Sequence, residues 1–500
     1  MSTVATIAAP VRKTGQVVPP LTRIAYAFGE TGSQFTWTLV SSYLVLFYTD
    51  VAMLAPATIA VIMLVARIWD AVDDPVQGFL AERTKTRWGR FRPWMIFGAP
   101  LLTAFMVLTF MAPSFSGNMT AKAVYAGITY ILLGVFYSAV NMTYGAMAGV
   151  MTKSSEERVT LNWYRGIGGG VGTLILNAVT MPLILFFSAP GGKPTEGGFL
   201  MAALILGVAA LPMFWFTAFT AKEVIVPAPE ATRVSVATTV KTVLGNTPLL
   251  QVWAALLLML IGLFGRLGIV VFYVMNNMGN PALMAVVMPM MGFGDIAGKV
   301  IFPRFANRFG KKQMVIASMT GQAIFLFSIF FADPGNIVLI SALTFLYGLC
   351  GFGGPITLSM IPDCVDYQEY KHGVRSDGTA YAFVSFSTKV AGAVGGAVGI
   401  LILGTFGYHP GGQPTPEVLN GINLATNVIP GVLALLATIP MFFYPLSHKR
   451  VAEIRAELDR RGDGDDHLAT EVEVTTAAPD AAFAEVAEEG IDPTAGPTAR

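Results

Sequence analysis

Apolar runs of about twenty residues or more alternate with short polar connections from residue 24 to residue 446. A bilayer core of about 30 Å takes about 20 residues as helix, so each run predicts a membrane-spanning helix. Twelve are expected, over residues 24–49, 53–80, 93–113, 121–150, 162–188, 199–220, 248–276, 281–303, 312–332, 336–361, 378–407 and 421–446. The reading is therefore an all-α membrane protein with twelve transmembrane helices. The first 23 residues hold Pro10, Pro19 and Pro20 and no apolar stretch of signal-peptide length, so a short cytoplasmic arm is expected there.

Basic residues set the orientation, because Lys and Arg are retained on the cytoplasmic side. One set of connections carries Arg83, Lys85, Arg87, Arg90 and Arg92, then Lys153 and Arg158, then Arg304, Arg308, Lys311 and Lys312, while the opposite set holds only Lys122 and Lys193. With an even number of spans both termini fall on the cytoplasmic side, in a cell inner membrane. Arg87-Trp88-Gly89-Arg90 follows the second span and Arg308-Phe309-Gly310-Lys311 follows the eighth, an offset of 221 residues. Matching basic turns at matching places predict two six-helix halves, residues 24–221 and 248–446, joined by a cytoplasmic loop at 222–247. Parallel halves with a site between them are the architecture of major facilitator transporters. The tail, 447–500, begins as a charged helical extension; from Asp463 to Arg500 it holds ten acidic residues and one basic one. Such a stretch buries too little apolar surface to offset its chain entropy, and disorder is expected.

Composition agrees: 54% of residues are hydrophobic and 13% charged, against roughly 45–50% and about 25% in soluble domains. There are too few charges to clothe three soluble domains, which argues against a water-soluble enzyme. The formal charge of +1 argues against nucleic acid as a partner, since backbone binding needs a basic footprint. Cys350 and Cys364 have no metal-binding or disulfide-framework spacing.

Charges at depth are the informative ones, since each costs about 2.5–3.5 kcal/mol on insertion scales. The second span carries Arg67-Ile68-Trp69-Asp70-Ala71-Val72-Asp73-Asp74-Pro75. Arg67, Asp70 and Asp74 are spaced to share one helix face, with Asp73 at its flank. Clustered carboxylates raise one another's affinity for a proton or a cation, which suits a site for H+ or Na+. The bland alternative is a salt-bridge knot, but one arginine cannot neutralise three aspartates. Lys389, deep in the eleventh span, is a candidate partner from the other half. Asp295 and Lys299, four residues apart in the eighth span, read as an internal pair.

The run Leu64 to Gly98 (LVARIWDAVDDPVQGFLAERTKTRWGRFRPWMIFG) resembles the signature of the glycoside-pentoside-hexuronide:cation symporters. Asp363-Cys364-Val365-Asp366-Tyr367-Gln368-Glu369-Tyr370, with Gly373, Arg375, Gly378 and Tyr381, resembles that family's loop before the eleventh helix, and the likeness extends over about residues 20–446. It implies a cation site at Asp70 and Asp74, with Ser138 where the family's best-known member has threonine, Lys389 at a matching lysine, and Asp73 where that member has asparagine. The extra carboxylate favours protons over sodium. Two carboxylates that hold galactosyl hydroxyls in that member correspond to Gln34 and Asn141, and its aromatic platform to Gly145. The sequence around Asn141 and from Thr415 onward resembles the glucuronide-carrier and pentoside branch, so a hexuronide or pentoside is expected rather than a galactoside. Arg165 matches a family arginine. It either holds a substrate carboxylate through paired hydrogen bonds or pairs with Glu30 one turn before Gln34. Tyr26, Tyr144 and Ser385 are further hydrogen-bonding candidates on helices that face the cavity in this fold.

Arg87, Arg90 and Arg92 on one half and Asp363, Asp366, Glu369 and Arg375 on the other are expected to close a salt-bridged gate at the cytoplasmic mouth. The function implied is cation-coupled glycoside symport across a lipid bilayer, with no cofactor beyond the transported H+ or Na+. A lysolipid carrier is the alternative. A membrane-embedded enzyme is disfavoured because His372, His409, His448 and His467 all lie in loops or the tail.

Overall fold

The structure is a computed structural model describing residues 18–152, 154–188, 192–224, 245–372, 377–409, 412, 414–447, 449–458 and 460. The expected N-terminal arm before residue 18, most of the central loop, the tail beyond 460, Arg375 and the side chain of Ser385 lie outside the described residues.

Twelve helical segments account for the fold. The first six are α1 (Pro20–Leu46), α2 (Pro56–Arg83), α3 (Arg92–Thr109), α4 (Met119–Met151), α5 (Ser155–Phe186) and α6 (Glu196–Thr220). The second six are α7 (Thr247–Phe272), α8 (Met284–Ile301), α9 (Lys311–Phe331), α10 (Ile337–Leu349, resuming as Gly353–His372), α11 (Asp377–Thr405) and α12 (Pro416–Asn423, resuming as Ile429–Phe442). Ten of the segments are long and apolar enough to cross a membrane; α1 and α2 are not among them. Local signals set many of the starts. Prolines occupy the first turn of α1, α2, α3, α7 and α12, where a missing N–H costs nothing. Asn118, Ser154, Thr195, Asn246, Asn336 and Thr415 accept backbone N–H bonds as caps of α4, α5, α6, α7, α10 and α12.

The repeat seen in sequence is structural. Within the first half α1 packs on α5 and α6, α3 on α4 and α6, and α2 on α4; in the second α7 packs on α11 and α12, α9 on α10 and α12, and α8 on α10. Each pairing recurs with six added to both helix numbers. The two basic turns match in detail: Gly89 has φ 109° and Gly310 φ 87°, a region that only glycine enters freely. Arg87 lies 4.7 Å over the Trp88 ring and Arg308 5.5 Å over that of Phe309. Among the described residues there is no strand, only an isolated bridge between Thr86 and Gly89.

The halves meet through α2 on α11, α5 on α8 and α1 on α7. At the end remote from the basic turns, one apolar cluster joins them, including Leu54, Ile59, Ile269, Val270, Ile400 and Leu403. There Tyr408 donates a hydrogen bond to Asp50 across the halves at 2.7 Å. At the basic end each half keeps ion pairs of its own, Arg23 with Glu157 in the first and Lys311 with Asp363 in the second. The far end is thus closed by contacts between the halves.

Candidate functional site: a charged cavity between the halves

Helical spacing on α2 places Arg67, Asp70 and Asp74 along a cavity of about 530 Å³ that Lys389 of α11 enters from the opposite half. Arg67 pairs with Asp70, Nη1 to Oδ2 3.1 Å. Lys389 is ion-paired with Asp74 and its Nζ lies 3.5 Å from the Asp70 carbonyl. The second Asp74 oxygen, Oδ1, is buried without a protein partner. Pro75 withdraws a backbone hydrogen bond from α2 next to this carboxylate. Gly134 makes room for Asp70: a Cβ there would stand 2.8 Å from Asp70 Oδ1. Ser138 lines the same cavity. Asp73 does not; its carboxylate accepts from Gln77 Nε2 at 3.1 Å, and that amide also reaches the Val135 carbonyl of α4.

Gln34 and Asn141 line this cavity too, and they are tied into the helix packing. Ser33 donates to Asn141 at 3.4 Å, Gln34 donates to Glu30 at 3.1 Å and Thr173 donates to Gln34 at 3.3 Å. Arg165 Nε is bonded to Glu30 Oε2 at 2.6 Å, so of its two expected roles the structure forms the internal pair. The two residues line a second cavity of about 460 Å³, whose other wall is Asp295 and Lys299 of α8, themselves paired at 2.5 Å. The expected substrate groups are therefore split between two neighbouring spaces. Tyr26 and Tyr144 line neither. Their rings stack at 4.7 Å and the Tyr144 hydroxyl donates to the Tyr26 carbonyl at 2.6 Å. Both are fully buried where α1 packs on α4, so their part in this conformation is packing.

An aromatic wall was not foreseen from the sequence. Trp37 stacks on Tyr137 at 5.9 Å and meets Phe264 of the other half edge-on at 6.1 Å, while Arg67 stands 5.7 Å from its ring. All four line the larger cavity, with Tyr130 and Thr388. The available signal was the i, i+4, i+7 stripe of Glu30, Gln34 and Trp37 on α1, which places the indole on the face of the two polar groups. Carboxylates, hydroxyls, amides and a flat apolar ring together suit a small cation beside a polyhydroxylated ligand.

In this conformation Asp363, expected at the gate, has its partners close by on its own side. This carboxylate takes Lys311 at 2.6 Å and Arg455 at 2.9 Å, and Asp366 takes Arg455 at 3.1 Å. These partners belong to the second half and to the helix after it. In the first half the backbone N–H groups of Arg90, Phe91 and Arg92 converge on the Glu223 carboxylate. Glu369 continues the i, i+3, i+6 row of Asp363 and Asp366 on the last part of α10.

The profile of the family described as MFS/sugar transport protein matches residues 25–448. The chain is 31% identical over 458 residues to an isoprimeverose transporter of Lactiplantibacillus pentosus, covering 91% of this chain and 94% of that one. It is 32% identical over 465 residues to the putative glycoside/cation symporter YagG of Escherichia coli K12, covering 92% and 98%. It is 29% identical over 448 residues to a glucuronide carrier protein homolog of the same strain, covering 88% and 95%. These likenesses extend over both halves. The chain belongs to the MFS/sugar transport protein family, a family of multi-pass membrane transporters.

Proposed function

We propose that the protein is a cation-coupled glycoside symporter working by alternating access, its substrate a hexuronide or pentoside. The observation that carries this reading is the Lys389–Asp74 pair, which joins the two halves at a wall shared by Asp70, Ser138 and the Trp37 surface. A cation arriving at Asp70 and Asp74 displaces the lysine ammonium, which unlinks the halves, while the glycoside packs on Trp37 and bonds Gln34 and Asn141. Asp73, one residue from Asp74, supplies an additional protonatable group and favours H+ over Na+ as the coupling ion. The relatives named as isoprimeverose transporter and glucuronide carrier homolog support the choice of substrate class. The basic end is assigned to the cytoplasm on the excess of Lys and Arg there. Arg165 and Glu30 on one half and Asp295 and Lys299 on the other, which share a cavity, join Arg87, Arg90, Arg92, Asp363, Asp366 and Glu369 as candidates for the gate at that mouth.

The test is Asp74→Cys in proteoliposomes. It is expected to abolish accumulation driven by a proton or sodium gradient while glycoside counterflow persists; undiminished accumulation rejects the coupling assignment.

A further inference from the structure

Three arginines lie within the described spans more than one turn from either end, and two of them have carboxylate partners: Arg67 with Asp70 and Arg165 with Glu30. The third, Arg266 of α7, is 2% exposed, makes no ion pair, and holds its Nε and Nη1 without a protein acceptor. A guanidinium cannot shed its charge, so burial without an anion is the most costly state available to it. Its nearest compensation is the ring of Tyr347, 4.7 Å away, which offsets charge but accepts none of the planar N–H bonds.

Hydroxyls, which can donate as well as accept, lie on the helices that carry Arg266 and Tyr347. Ser341 Oγ, Thr344 Oγ1 and Tyr273 Oη are buried and have no protein partner. Ser341, Thr344 and Tyr347 are spaced i, i+3, i+6 on α10, one face of that helix; Arg266 and Tyr273 are two turns apart on α7. A fixed fork of N–H groups is a donor set that matches a carboxylate, and hydroxyls on the same two stretches of chain can donate to one as well.

We infer that Arg266 is the centre of an anion-binding site in the second half, and that the anion is the carboxylate of an acidic glycoside. This deepens, and rests on, the reading of the protein as a glycoside symporter. Arg266 stands among the apolar residues that seal the far end, three positions before Ile269. When that end opens, the guanidinium meets the vestibule and water; when it closes, the guanidinium loses them. A substrate that brings a carboxylate into the closing half removes the penalty, so acidic glycosides favour closure and neutral ones do not. Arg165, whose Nε is held by Glu30, is thereby relieved of that role.

Purified full-length wild type, Arg266→Gln and Arg266→Lys are titrated calorimetrically with p-nitrophenyl β-D-glucuronide and p-nitrophenyl β-D-glucoside, and melted in sodium acetate and in sodium chloride. The wild type is expected to bind the glucuronide at least tenfold more tightly than the glucoside, about 1.4 kcal/mol. Arg266→Gln erases that ratio and Arg266→Lys, which keeps charge but not the fork, restores part of it; if the glutamine variant does not fold, a several-fold drop in the lysine variant carries the same result. A ratio equal in wild type and both variants overturns the substrate assignment. If acetate or chloride then stabilises the wild type but not the variants, the anion is a free one; if neither does, the site itself is overturned. Gradient-independent glycoside uptake by the wild type defeats the symport reading and leaves the ratio test standing.

Discussion

Lys389→Gln removes an ion pair that ties α11 to α2, and its effect on cation affinity has a sign that can be worked out. In the wild type Asp74 is occupied by the lysine ammonium, so an arriving monovalent cation must displace it. Both side chains are partly accessible, 26% for Lys389 and 20% for Asp74. An exposed pair contributes about 0–1 kcal/mol and loss of one partner from a fully buried pair costs about 3–5 kcal/mol. At intermediate exposure about 2 kcal/mol of competition is expected, which is about a thirtyfold change in affinity. Lys389→Gln should therefore bind its coupling ion about thirtyfold more tightly, read as sodium by calorimetry at fixed pH and as protons by an indicator dye. Accumulation should fall at the same time, because a site that no longer has its own cation releases the transported one slowly. Unchanged or weaker ion binding in Lys389→Gln would show that the lysine orders the site instead of competing for it, and the displacement argument would be refuted.

Gly134→Ala alters no charge, yet its methyl would stand 2.8 Å from Asp70 Oδ1; a fall in cation affinity of about tenfold or more is expected, with helix content by circular dichroism unchanged. Trp37→Ala should weaken glycoside binding by about tenfold, the worth of about 1–1.5 kcal/mol of ring contact, with Trp37→Phe intermediate and cation affinity untouched. Tyr408→Phe deletes the 2.7 Å bond to Asp50 at the far end. Hydrogen bonds to charged groups are worth about 1.5–3 kcal/mol, so maleimide should label a cysteine placed at Ile269 at least tenfold faster, and equal rates would dismiss this bond as part of the seal. Arg165→Ala, by leaving Glu30 unpaired beside Gln34, should lower uptake of acidic and neutral glycosides alike; a selective loss of the acidic one would return the carboxylate to Arg165.

Much of the helix order was legible because hydrocarbon length imposes a run length that any reader of the chain can measure. α2 was recognised in spite of its charges, since its flanks are apolar and its next neighbours are spans; a filter on apolarity passes over both it and α1. The i, i+3 and i, i+4 spacings foretold that Arg67, Asp70 and Asp74 share a face and that Asp295 pairs with Lys299. What spacing does not carry is the direction of approach from other helices. Gln77 turning Asp73 toward α4, Glu30 taking Arg165, Tyr26 and Tyr144 closing on each other, and Arg455 reaching back to Asp363 all depend on packing between distant segments. The π-helical turns at Phe47–Val51, Tyr273–Asn277 and Leu424–Val428 left no mark in the apolar pattern either, since one extra residue per turn is within the tolerance of any run.

The five charges at and beside the cavity wall also have a sum. Asp70, Asp73 and Asp74 against Arg67 and Lys389 leave one negative charge when all are ionised, and one monovalent cation cancels it. On the symport reading, with an uncharged pentoside aboard, the loaded site then crosses neutral, and it is the empty carrier that responds to voltage. A negative-inside potential drives its negative site back outward with about 2.3 kcal/mol per 100 mV if the charge crosses the whole field. Membrane potential would thus accelerate the return of the unladen protein rather than the inward step of the sugar, and Asp73→Asn, which neutralises the empty site, would make that return indifferent to voltage.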